Sequence, residues 1–120
     1  MKIFSFEKLN VWQKSRELSL VVYEITQSFL EEEHFGLISQ MRRCAVSVSS
    51  NIAEGSGRNS GKDKARFTEI AYGSVLELLN QAILSLDLKF LSEEKFMNIR
   101  TRISEITAML NALQKAQLKL

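Results

Sequence analysis

Residues 62–90 carry apolar side chains at two interleaved helical spacings, and this pattern restricts the fold more than any other feature of the chain. One seam reads Phe67, Ala71, Ser74, Leu78 and Ala82; the second reads Tyr72, Leu76, Leu79, Ile83, Leu86 and Phe90. On a wheel of 3.6 residues per turn the two seams sweep about 180–200°, whereas one core-facing stripe takes about 100°. Such a rod needs cover on two sides. It either lies deep in its own bundle or carries a subunit interface as well. The chain contains no proline, so nothing imposes a break on this segment.

Three further segments show helical periodicity, and none shows sustained strand alternation. Across residues 6–29, Val11, Leu18, Val22, Ile25 and Phe29 mark one stripe, flanked by Leu9, Trp12 and Tyr23. The acidic run Glu31-Glu32-Glu33, followed by His34, Phe35 and Gly36, reads as a solvated turn. Across residues 37–54, Ile38, Met41, Ala45, Val48 and Ile52 follow bundle-seam spacing. The run Gly55-Ser56-Gly57-Arg58-Asn59-Ser60-Gly61 closes that helix, with glycine suited to a left-handed closing position. Ser92 is a good N-cap for a fourth helix, with Glu93 and Glu94 at the positive end of its dipole. Phe96, Ile99, Ile103, Ile106, Leu110 and Leu113 form its narrow stripe. Short links make neighbouring helices antiparallel. The expected fold is all-α, an antiparallel up-down-up-down four-helix bundle forming one domain over residues 1–120.

A single cysteine, Cys44, excludes an internal disulfide and favours a reducing compartment. Its place in an apolar stripe suits a buried, inert thiol. The N-terminus has no signal-peptide pattern, and no run approaches about 18 uninterrupted apolar residues. The expectation is a cytoplasmic protein with no membrane association.

Catalytic patterns are missing. His34, the single histidine, stands in the loop after the acidic run, where it reads as a solvated or capping residue and supports no Ser-His-Asp set; one His and one Cys give no zinc spacing, and no paired Glu-x-x-His arrangement occurs. The stretch Gly-Ser-Gly-Arg-Asn-Ser-Gly lacks the Walker lysine placement and follows no strand. The reading is therefore not an enzyme, with no cofactor and no metal.

Charge is distributed unevenly. Residues 1–33 hold four basic and six acidic groups, residues 34–66 hold six and two, and residues 67–120 hold six and six. The basic excess consists of Arg42, Arg43, Arg58, Lys62, Lys64 and Arg66, which are candidate nucleic-acid contacts because each neutralised phosphate releases counterions. A solvated surface is the competing reading. Lys62 and Lys64 stand near a helix N-terminus, where the dipole disfavours cations. A second candidate is the polar cluster of Asn51, Glu54, Gly55 and Arg58. Its spacing puts Asn51, Glu54 and Arg58 on one face and permits a Glu54–Arg58 pair. It reads as a latch between the second and third helices, with Glu69 a candidate partner, or as a ligand contact.

Several stretches carry a resemblance to a known family. They are Leu9-x-Val11-Trp12-Gln13, Phe35-Gly36-Leu37, Gln40-Met41-Arg42-Arg43-Cys44-Ala45-Val46-Ser47-Val48, Ser50-Asn51-Ile52-Ala53-Glu54-Gly55, Gly57-Arg58, Arg66-Phe67, Ile70-Ala71-Tyr72-Gly73-Ser74 and Glu77-Leu78. The chain resembles the four-helix bundle proteins encoded in intervening sequences of bacterial 23S ribosomal RNA genes. The family often has proline where this chain has Leu30 and Ser49. The resemblance implies a ring-like homopentamer of antiparallel bundles without known enzymatic activity. Relatives that act as accessory proteins of diversity-generating retroelements bind a reverse transcriptase and nucleic acid through a basic pentamer surface, and they are much more basic than this chain. The expected function is therefore a non-enzymatic oligomeric bundle binding RNA or DNA, or a nucleoprotein. The alternative is a protein-interaction scaffold, with a partner such as a reverse transcriptase.

Overall fold

The computed structural model describes residues 1–29 and 34–120; the acidic Glu31-Glu32-Glu33 turn and the side chains of His34 and Phe35 lie outside the described residues. Four long helices are present: α1 (Asn10–Thr26), α2 (Ser39–Ser56), α3 (Gly61–Asp87) and α4 (Glu93–Leu118). Among the described residues there is no strand. The molecule measures 45 × 30 × 21 Å. Its long dimension follows from α3, whose 27 residues span about 40 Å at 1.5 Å per residue.

The first helix starts later than its apolar stripe suggests. A 3-10 turn at Ser5–Lys8 precedes it, and Leu9 is extended. Phe6 packs edge-on against Trp12 at 5.0 Å, and the Gln13 amide donates to the Glu7 carbonyl at 2.9 Å. These contacts fold the lead-in back onto α1. At the other end, a turn at His34–Ile38 with non-helical backbone at Gly36 leads into α2.

Each helix packs on its chain neighbours, and α4 closes back onto α1. Contacts between α2 and α3 run in opposite order along the two helices. Gly55 meets Phe67, Ser47 meets Ser74, Cys44 meets Gln81 and Met41 meets Ser85. The same reversal relates α1 to α4 through the pairs Lys14–Glu105 and Glu17–Arg102.

One apolar cluster fills the centre, with Leu18, Val22, Met41, Val48, Val75, Leu78, Ile99, Ile106 and Leu110 almost fully buried. Three of the buried hydroxyls leave it undisturbed, because they bond within their own helices. Ser15, Thr26 and Ser85 donate to the carbonyls of Val11, Val22 and Gln81 at 2.7–2.8 Å.

The expectation of a left-handed glycine closing α2 is corrected. Gly57 has φ −88°, and Gly55 lies inside the helix. Gly55 serves close approach instead: a β-carbon there would fall 2.7 Å from Phe67 Cβ. Gly61 does the same for α4, since a β-carbon would run into the Gln117 carbonyl. Positive φ occurs at Lys89 (65°), in the turn between α3 and α4.

A cationic cleft at the α2–α3 hairpin

The two glycines determine the geometry of the hairpin end. Gly55 brings α3 against α2, and Gly61 brings the last turn of α4 against the start of α3. Thr68 locks this second approach by donating to the Gln117 side-chain carbonyl at 2.7 Å, in a buried position. Ser60 caps α3 by accepting from the Asp63 N–H at 3.1 Å. Between these elements opens a cleft of about 830 Å³, with Arg58, Lys62 and Arg66 around it, Ala65 on α3, and Gln114 and Leu118 from α4.

Asp63 organises the cations. Its carboxylate takes Arg66 at 2.8 Å and Arg58 at 3.9 Å. Glu54 reaches Arg58 at 3.7 Å, the i,i+4 pair that the spacing suggests. Both guanidinium groups also rest on the Phe67 ring, 4.5 and 4.7 Å from its centroid. The arginines are thus held in place while their side chains stay 41% and 59% exposed, which leaves them able to meet an anion. The side chains of Lys62, Glu69 and Gln114 have no hydrogen bond or ion pair among the described residues.

The six cations proposed from sequence do not form one patch. Arg42 lies about 24 Å along the chain axis from Arg58, at 1.5 Å per residue. It donates to Thr26 Oγ1 at 2.9 Å and to the Tyr23 carbonyl at 3.2 Å, and it rests on the Tyr23 ring. It therefore closes the C-terminal end of α1. Arg43 is exposed on a different face of α2, near Cys44. Lys64 donates from Nζ to the Ser56 carbonyl at 2.8 Å, neutralising the negative end of α2. Its place near a helix N-terminus is thereby compensated by its reach to a helix C-terminus. Only Arg58, Lys62 and Arg66 converge on the cleft.

The polar cluster also divides. The Asn51 amide donates to the Ser47 carbonyl at 2.8 Å and contacts its hydroxyl at 3.0 Å; Ser47 in turn bonds Ser74 at 2.9 Å. That is a latch between α2 and α3, but its partner is Ser74 and not Glu69. Glu54 and Arg58 belong to the cleft, and Gly55 belongs to the packing.

Cys44 is buried, and burial, reinforced by Glu77, pushes its thiol up to about 11. It is a poor nucleophile near neutral pH. Among the described residues no three His, Cys, Asp or Glu side chains gather to hold a metal ion. Among the described residues no helix is long and apolar enough to cross a membrane.

Gln114 and Leu118 were not among the sequence candidates. Their position depends on α4 crossing Gly61, a contact between residues more than 50 positions apart, and no local pattern announces it.

The architecture defines an all-helical, four-helix protein with a cleft at one hairpin that gathers Arg58, Lys62 and Arg66 together with Asp63 and Glu69. The chain belongs to the 23S rRNA-intervening sequence protein family, whose model matches residues 7–112. Its fold is similar to that of a protein of unknown function from the S23 ribosomal protein family of Bacteroides thetaiotaomicron, with a TM-score of 0.79 and 23% identity over 88% of this chain and 98% of that one. No curated protein matches the chain.

Proposed function

We propose that this chain is a non-enzymatic, cytoplasmic, up-down-up-down bundle that assembles into a homopentamer and binds nucleic acid, RNA foremost, at the hairpin cleft. The convergence of Arg58, Lys62 and Arg66 on one open cleft carries this reading. Arginine presents planar donors that match phosphate oxygens, and Lys62 has no partner to give up. Glu54, Asp63 and Glu69 equal Arg58, Lys62 and Arg66 in formal charge, so affinity per site is modest and rests on the donors that the guanidinium groups and Lys62 can still offer. A ring repeats the site and multiplies it. Resemblance to the family supports five subunits. Apolar exposure on α3 supports assembly, because Leu76 and Ile83 are 47% and 37% exposed on one flank and Ile70, Leu84 and Leu88 are 43%, 45% and 55% exposed on another.

Filter binding of an RNA across a salt series tests the reading. Three phosphate contacts per protomer give a log–log slope of about −2 for a single strand. No retention at low salt, or retention without a slope, removes it.

The same exposed flanks favour a second reading, a scaffold that docks a protein such as a reverse transcriptase. Reversing Arg58, Lys62 and Arg66 separates the two: nucleic-acid retention is lost in the first reading, and a partner gripped by apolar contacts is kept in the second.

A further inference from the structure

Resting on the nucleic-acid reading, we infer that the cleft takes an unstacked nucleotide, so that the protein prefers single strands to duplex. The cleft has two chemically distinct parts. Its mouth presents the cations Arg58, Lys62 and Arg66, the two arginines gathered about Asp63. Its α4 wall supplies a side-chain amide, Gln114, and an aliphatic surface, Leu118, while Glu69 adds a carboxylate acceptor. Phosphates need only the first part. A flat duplex backbone has no use for an amide and an apolar wall set beside the cations, because its bases are stacked and paired.

A splayed base does use them. It has a face to lay against Leu118 or a guanidinium plane, and an edge of donors and acceptors for Gln114 and Glu69. Those two side chains have no partner of their own among the described residues, so they lose nothing by engaging a base. The volume of about 830 Å³ falls within the range of small-ligand clefts, about 300–1,000 Å³. Phe67 holds both guanidinium groups against its ring, which leaves their outer faces set rather than mobile.

The test uses the full chain and one labelled oligonucleotide, measured by fluorescence anisotropy as a single strand and as its duplex. The expected result is single-strand binding tighter by at least about 5-fold, the low end for one stacked base, because the cleft offers an aliphatic or guanidinium surface and not an aromatic one. Gln114→Ala with Leu118→Ala removes that preference by lowering single-strand affinity more than duplex affinity. Both residues lie outside the core, and circular dichroism verifies the fold. Lys62→Glu weakens both forms together. Equal affinity for the two forms, with a normal salt slope, overturns the inference while the nucleic-acid reading stands. Absence of binding to either form overturns both.

Discussion

A β-carbon on Gly55 would lie 2.7 Å from the β-carbon of Phe67, so this pair sets how closely α2 and α3 approach. The obstructing atom is rooted in the backbone and cannot swing aside. Gly55→Ala therefore forces the helices apart and is expected to cost about 1–3 kcal/mol, as overpacking does. Gly73 sits mid-α3 with nothing within 4 Å of its would-be β-carbon. Gly73→Ala should stabilise by about 0.5–1 kcal/mol through helix propensity. Urea unfolding of both variants checks the pair; a shift of equal sign would mean that approach distance is not what distinguishes them.

Arg42 and Arg58 are both basic residues of one motif-bearing stretch, yet they have different work. Arg42 satisfies Thr26 Oγ1 and the Tyr23 carbonyl at the end of α1, whereas Arg58 faces the cleft. Arg42→Ala should lower stability by about 1–2 kcal/mol, as loss of a charge-assisted hydrogen bond does, with little effect on nucleic-acid affinity. Arg58→Ala should lower affinity and reduce the salt slope by about 0.7 for a single strand. Thermal unfolding and anisotropy on the same samples separate the two roles.

Thr68 and Gln117 couple stability to the cleft. Thr68→Val leaves the buried Gln117 side-chain carbonyl without its 2.7 Å donor and should cost about 1–3 kcal/mol. Because Gln114 and Leu118 ride on the same end of α4, hydrogen exchange should quicken there first. Adding Gln117→Met removes the stranded acceptor and should recover part of the loss, which a double-mutant cycle reads directly.

An ordinary cysteine thiol ionises near 9, and that of Cys44 is held at about 11 by burial. Between these values the unfolded chain has lost the proton and the folded chain keeps it, so stability falls as pH rises through that window. The contribution is fully present below pH 9. The whole protein's stability changes with pH for other reasons too, so the difference between the wild type and Cys44→Ala is the quantity to measure. A difference that stays flat from pH 9 to 11 would contradict the buried thiol.

Helices were legible wherever one face had to be buried, because apolar spacing reports that requirement directly. Ser92 acts as the cap its sequence suggests, accepting from the Lys95 N–H at 3.2 Å. The start of α1 was less legible, because Phe6 and Leu9 extend the apolar stripe into a segment whose backbone is 3-10 and then extended. The sequence presents Gly55 as a conformational device, whereas in the structure its part is steric; a glycine's sequence position does not distinguish the two. Counting charge along the chain located the hairpin but overcounted its site. Side chains such as Lys64 and Arg42 are long enough to reach helix ends elsewhere, and only three-dimensional packing shows which carbonyl each one meets.

The wide apolar circumference of α3 leads to the last prediction. Its inner seam, Ala71, Val75, Leu78 and Ala82, is fully buried within one chain. The second seam is not: Leu79 and Tyr72 pack at the edge of the core, while Leu76 and Ile83 remain exposed. The outer flank of Ile70, Leu84 and Leu88 lies roughly 120° away around the helix at 100° per residue. Two different apolar faces on one subunit suit a head-to-tail contact, which closes into a ring where the rotation between subunits permits and runs on as a filament where it does not. Leu76→Glu with Ile83→Glu places two charges on the first flank without touching the buried seam. Light scattering should show the wild type as a closed oligomer and the double variant as a monomer, with helical content unchanged. If the wild type itself runs as a monomer, α3 keeps both flanks in water and the ring is lost, and with it the multiplication of weak sites on which the proposed nucleic-acid binding depends.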